Sequence, residues 1–87
     1  MENWTGALAR SKAGHDKGNI FLIIKDEQDI VWMTDGKNRT VSNPKKKKKK
    51  HLQYISFDNW MEKPYNDDDI KRTIKLYKQH CKENSEL

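Results

Sequence analysis

Ile20-Phe21-Leu22-Ile23-Ile24 is the longest apolar run in the chain, closed on its C-terminal side by Lys25-Asp26-Glu27. It is too short for an amphipathic helix and far short of the roughly 20 residues a membrane helix needs, so it reads as a strand, the strongest in the protein. Immediately upstream, Ser11-Lys12-Ala13-Gly14-His15-Asp16-Lys17-Gly18 sets two glycines among polar residues. That composition suits a loop whose backbone visits positive φ before extending into the apolar run. Residues 4–9 form a first strand ahead of it. Downstream, Asp26-Glu27-Gln28-Asp29 turns the chain and Ile30-Val31-Trp32-Met33 returns it. Asp35-Gly36 with Lys37-Asn38 gives a hairpin signal before a short Arg39-Thr40-Val41 strand.

Asn43-Pro44 ends this meander, because proline lacks an N–H for the ladder and biases its predecessor away from helix. Residues 52–57 supply a fifth strand able to close a small barrel. Leu52, Tyr54 and Ser56 fall on one face, and Gln53, Ile55 and Phe57 on the other. From Asn66 the period changes. Ile70, Ile74, Tyr77 and Cys81 recur at helical spacing, while Lys71, Arg72, Lys75, Lys78 and Lys82 take the other faces. Asn66 or Asp67 caps this helix, acidic residues in its first turn meet the positive end of the macrodipole, and residues 84–87 fray. The fold class expected is mainly β: a small barrel over residues 1–57, with a lysine-rich loop at 45–50, and a connector and C-terminal α-helix over 58–87 packed on it. A length of 87 residues allows one such domain and a modest core.

The formal net charge of +5 is focal. Residues 1–44 hold six basic and six acidic side chains and residues 52–87 hold six and seven, so the flanks nearly cancel and Lys45, Lys46, Lys47, Lys48, Lys49 and Lys50 carry the excess. A concentrated block of ammonium groups attracts polyanions and releases their counterions, which makes nucleic acid the first partner to consider. Lying between two strands, the block reads as a loop held at both ends, extended and mobile by its own repulsion until an anion arrives. The glycine loop can share its rim, so Arg10, Ser11, Lys12, Gly14, His15, Lys17 and Gly18 join the candidate RNA-binding set, with Lys37, Arg39 and His51 flanking it. Glycine lets backbone N–H groups approach a sugar-phosphate chain, and the cations supply the attraction. Trp4, Trp32, Tyr54, Trp60 and Tyr65 are candidates for stacking on bases, with packing the default for most and Trp60 the best placed to stack.

Catalytic signals are poor. His80 and Cys81 are adjacent and point about 100° apart on a helix, with no third orienting group. The histidines and the single cysteine have no zinc spacing, Asp67-Asp68-Asp69 is explained by a helix N-terminus, and no nucleotide-hydrolase phosphate loop or dinucleotide fingerprint occurs. No enzyme activity, metal or cofactor is expected. The single Cys81 has no partner for an internal disulfide, residues 1–5 do not resemble a signal peptide, and a cytoplasmic chain is expected.

Three motifs in order then carry a resemblance: the 11–18 glycine loop followed by Phe21 and an aliphatic strand; Asp35-Gly36-Lys37 with Arg39; and Asn43-Pro44-Lys45-Lys46-Lys47 with His51-Leu52. Over about residues 4 to 56 the chain resembles the bacterial KOW-domain RNA-binding proteins, relatives of the archaeal and eukaryotic large-subunit ribosomal protein fourteen. The resemblance implies an SH3-like barrel whose KOW loop contacts RNA, with Gly18 at the motif's glycine, and a ribosome-associated role on rRNA of the large subunit beside ribosomal protein neighbours. His15 departs from the family's usual arginine and lacks the guanidinium fork. A protein-interaction module whose basic run is a nuclear-import or anionic-membrane address is the alternative. The protein is expected to be monomeric when free.

Overall fold

The computed structural model describes residues 3–55 and 65–85, with side chains described to residue 81. Ser56, Phe57 and Trp60, given faces or a stacking role above, lie outside the described residues. Among the described residues the chain forms β1 (Leu8–Ser11), β2 (Ile20–Asp26), β3 (Ile30–Thr34), β4 (Lys45–Lys48), β5 (Leu52–Ile55) and a helix, α1 (Asp67–Ser85), with one 3₁₀ turn at Lys49–His51 between β4 and β5. The fold is mainly β: one antiparallel sheet ordered β4-β3-β2-β1-β5, plus the C-terminal helix. The fifth strand pairs with β1, and no ladder joins it to β4, so the sheet is open and the expected closure does not occur.

Because strand side chains alternate, the continuous apolar run of β2 is divided between two cores. Ile20 and Leu22 join Leu8, Ile55 and the helix residues Ile70 and Ile74 on one face. Phe21 and Ile23 join Ala9, Val31, Met33 and Leu52 on the other, with Trp4 packed against them. Each fully buried aliphatic side chain contributes about 1.5–3 kcal/mol relative to exposure, so the helix stripe is a principal tie between α1 and the sheet. Asn66 Oδ1 accepts the Asp69 N–H at 2.9 Å, which is the expected cap. The helix reaches Ser85, past the expected fraying point, and Cys81 is half-buried rather than fully buried on the stripe. Asp67 Oδ1 accepts the Val41 N–H at 2.8 Å and ties the helix start to the β3–β4 loop. At that junction Gly36 has φ +74°, and a Cβ would lie 2.4 Å from the Asp67 carbonyl oxygen, so only glycine permits the approach.

Three further sequence expectations do not hold. The first strand starts at Leu8 rather than residue 4, because the Ala7 N–H closes a turn on the Trp4 carbonyl at 2.9 Å. Residues 39–41 are not a strand. The Arg39 carbonyl accepts the N–H groups of Asp35 and Gly36, each at 3.0 Å, and Asp35 Oδ1 accepts those of Lys37 and Arg39, so the groups a ladder would need are used locally. The lysine block is not a mobile loop: the meander continues past Pro44, with Lys45, Lys46, Lys47 and Lys48 opposite Met33, Trp32, Val31 and Ile30. Lysine is a weak strand former, but it is well suited to an exposed sheet edge.

Candidate nucleic-acid interface

The pleat of β4 sorts its lysines by parity. Lys45 and Lys47 stand opposite Met33 and Val31, on the face of the second core, whereas Lys46 and Lys48 stand opposite Trp32 and Ile30 and are exposed. The inward pair meets the glycine loop. Gly14 and Gly18 adopt φ of +86° and +89°, as a loop of this composition requires, and the Gly18 N–H donates to the Ser11 carbonyl at 2.8 Å. This folding swings Asp16 inward, where its side chain is 10% exposed. Lys45 Nζ lies 2.7 Å from Asp16 Oδ2, and Lys47 Nζ lies 2.6 Å from Oδ1. Lys47 Nζ also donates to Ser11 Oγ at 2.7 Å and to the Ala13 carbonyl at 2.8 Å. Three acceptors thus satisfy the three donors of an ammonium whose side chain is only 11% exposed.

A second clasp lies at the end of the block. Lys49 Nζ is 2.8 Å from Asp26 Oδ2, which also accepts the Trp4 N–H at 2.7 Å, and the same ammonium sits 4.8 Å from the centre of the Trp4 ring. Asp26 faces this way because the β2–β3 register slips between Ile23 and Lys25. The bulge sets Lys25 opposite Trp32 and Asp26 opposite Val31, whereas uninterrupted alternation from Ile23 would turn Lys25 inward. For both carboxylates burial is the largest single influence and opposes ionisation. For Asp16 the hydrogen bonds from Lys45, Lys47 and Ser11 outweigh it, and for Asp26 those from Lys49 and the Trp4 and Gln28 N–H groups do so, holding both below the usual carboxylate range.

What remains outward is Lys46, Lys48 and Lys50. Among the described residues no carboxylate lies within ion-pair distance of these three. Lys46 Nζ is 5.5 Å from the centre of the Trp32 ring, and Trp32 Nε1 in turn donates to Glu27 Oε1 at 2.5 Å. Lys48, Lys49 and Lys50 line, with Asp29 and Ile30, an open recess of about 380 Å³. Such a surface offers point charges and one aromatic edge, suited to phosphates rather than to bidentate reading of bases.

The other sequence candidates divide in the same way. Lys12, His15 and Lys17 are exposed on the β1–β2 loop, as are Gly14 and Gly18, and Lys37 and Arg39 are exposed on the β3–β4 loop. The Lys12 N–H donates to the His51 carbonyl at 2.8 Å, which fixes the glycine loop to the end of the lysine block as the sequence suggested. Ser11 is buried, its hydroxyl donating to Asp16 Oδ1 at 2.7 Å. Arg10 stands opposite Ile20 on the helix-covered face, half-buried, with Nε enclosed and without a hydrogen-bond partner among the described residues. Among the proposed stackers, Trp4 and Tyr54 pack on each other with ring centres 5.3 Å apart, and Tyr65 packs against the helix-side core. Sequence reasoning missed Asp16 and Asp26 as the partners of the lysines. Asp16 carried a readable signal, being the one acidic residue between Arg10 and Lys25. Asp26 carried none, since its orientation depends on the bulge.

No protein-family model matches the chain, and no curated protein sequence matches it. No helix among the described residues is long and apolar enough to cross a membrane.

Proposed function

We propose that the protein is an RNA-binding module that docks on structured RNA, foremost rRNA of the large ribosomal subunit, as a cytoplasmic, ribosome-associated component. The observation that carries this reading is the display, without carboxylate partners among the described residues, of Lys46 and Lys48 on an edge strand whose alternate lysines are locked to the glycine loop, and of Lys50 on the 3₁₀ turn that follows it. Holding one lysine row rigid preorganises the other, so less side-chain and backbone freedom is lost when a phosphate chain arrives. Lys12, Lys17 and Arg39 add further exposed cations on the two neighbouring loops.

The strand order, with one 3₁₀ turn between β4 and β5, favours an SH3-like KOW arrangement in which β4 and β5 fold over without pairing. The mechanism differs from two flexible loops clasping RNA: Asp16 already occupies the position between them that a phosphate would take. Binding is therefore led by the outward row and the loop tips.

The test is a salt titration of affinity for a purified large-subunit rRNA fragment. Changing Lys46, Lys48 and Lys50 to Gln should make the slope of log affinity against log salt shallower by about 2, at roughly 0.7 for each phosphate no longer neutralised. An unchanged slope and affinity would remove the outward row from the mechanism. Equal binding of the wild type to anionic vesicles would point to undirected polyanion attraction instead.

A further inference from the structure

Three lysines of α1 take no part in the β4 surface. Lys71, Lys75 and Lys78 follow one another by four and three residues, which places them along one flank of the helix. Together with Lys37 they line an open recess of about 400 Å³ between α1 and the two loops, based on Ile20 and Ile74. A smaller recess of about 140 Å³, lined in part by His15, Arg39 and Lys45, shares Asn19, Asp35 and Asn38 with the first. The two recesses adjoin at these three residues, and together they make a trough from the glycine loop past the β3–β4 loop to the helix.

The charge along the trough is positive and available. Among the described residues no carboxylate lies within ion-pair distance of Lys37, Lys75 or Lys78. Lys71 meets Asp68 only at 3.6 Å, between side chains 49% and 84% exposed, an arrangement of little energetic consequence. The two carboxylates on the walls are already engaged: Asp35 Oδ1 accepts the Lys37 and Arg39 N–H groups at 2.9 and 2.8 Å, and Asp16 holds Lys45 and Lys47. Cations at both ends, with the Asn19 and Asn38 amides and the single backbone-bonded carboxylate of Asp35 between them, match a ligand that repeats its negative charge along its length. A compact small molecule would instead require an enclosed, mostly apolar pocket.

We propose that this trough seats a phosphodiester strand, so that α1 supplies a second row of RNA contacts. The proposal rests on the RNA-binding reading and extends it from the edge of the sheet to the helix.

The experiment uses the full chain and the same rRNA fragment, with two readouts. One is the salt slope of affinity for the variant Lys71→Gln/Lys75→Gln/Lys78→Gln; the other is acylation of individual lysines, followed by mass spectrometry with and without RNA. Thermal melting confirms that the variant folds, as expected for exposed helix positions where glutamine is well tolerated. The slope should become shallower by about 2, and acylation of Lys75 and Lys78 should fall several-fold when RNA is added. If Lys46, Lys48 and Lys50 are protected while Lys75 and Lys78 react as before and the variant's slope is unchanged, the trough is not a binding site and the sheet-edge reading stands alone. A shallower slope without protection of Lys75 and Lys78 is a general charge effect and also overturns the proposal. Failure of the wild-type protein to bind RNA overturns both readings.

Discussion

β2 and β4 are each built mostly from one residue class, and they meet opposite fates. In β2 the run Ile20-Phe21-Leu22-Ile23 is buried on both faces, because α1 covers one side and the second core fills the other. In β4 the four lysines are paired on one side only, so one face of the strand is tied to Asp16 and the other is left in solvent. A uniform sequence thus acquires its alternation from its surroundings. The pleat supplies the period of two, and neighbouring elements decide what each half of it means.

The largest effects are expected in β2. Leu22→Ala removes a completely buried side chain where α1 meets the sheet and should cost about 3–4 kcal/mol, with Ile23→Ala close behind on the other face; chemical denaturation measures both. Next comes the clasp on β4. Asp16→Asn leaves the Lys45 and Lys47 ammonium groups together without a charge partner, and about 3 kcal/mol should be lost, since removing one member of a largely buried ion pair strands the other. A loss below about 0.5 kcal/mol would show that the inward lysines turn to solvent as readily as the outward ones, erasing the contrast between the two faces of β4.

Acid probes the same contrast more gradually. Asp16 and Asp26 both have folded-state values depressed below the unfolded value, so the stability they supply is fully present above about pH 4 and is lost as pH falls through the folded values. The melting temperature should be flat from about pH 7 to about 5 and decline below about 4, and Asp16→Asn should make that decline shallower. A decline of equal steepness in the variant would assign the acid sensitivity to other carboxylates. The smallest effect on stability belongs to the outward row: changing Lys46, Lys48 and Lys50 to Gln should shift unfolding free energy by no more than about 0.5 kcal/mol while weakening RNA binding. The same three changes at Lys45, Lys47 and Lys49 should do the reverse, destabilising the fold first.

Much of the architecture was legible from local chemistry. The apolar run at 20–24, the Asp26-to-Asp29 turn and the helix from Asn66 each follow from patterns of adjacent residues, and each is present. The glycine loop was legible too, because φ near +90° at Gly14 and Gly18 is a property of residue type. Residues 39–41 and 45–48 exchanged their expected roles for a reason no local pattern records. The Asp35-to-Arg39 hydrogen bonds absorbed the backbone of one segment, and β3 offered its free edge to the other.

The order of residues alone set where apolar runs end, where glycine allows the chain to turn, where helical spacing begins, and that the charge is focal; these depend only on residues close along the chain. Folding in three dimensions chose which lysines face inward, made Asp16 and Asp26 their partners, put Arg10 beneath the helix, and brought the lysines of α1 to the same trough as the loops. Those outcomes depend on ladder register, one bulge and the docking of a helix. Each is set by the free energy of contacts between residues far apart in the chain, which six identical side chains in a row cannot encode on their own.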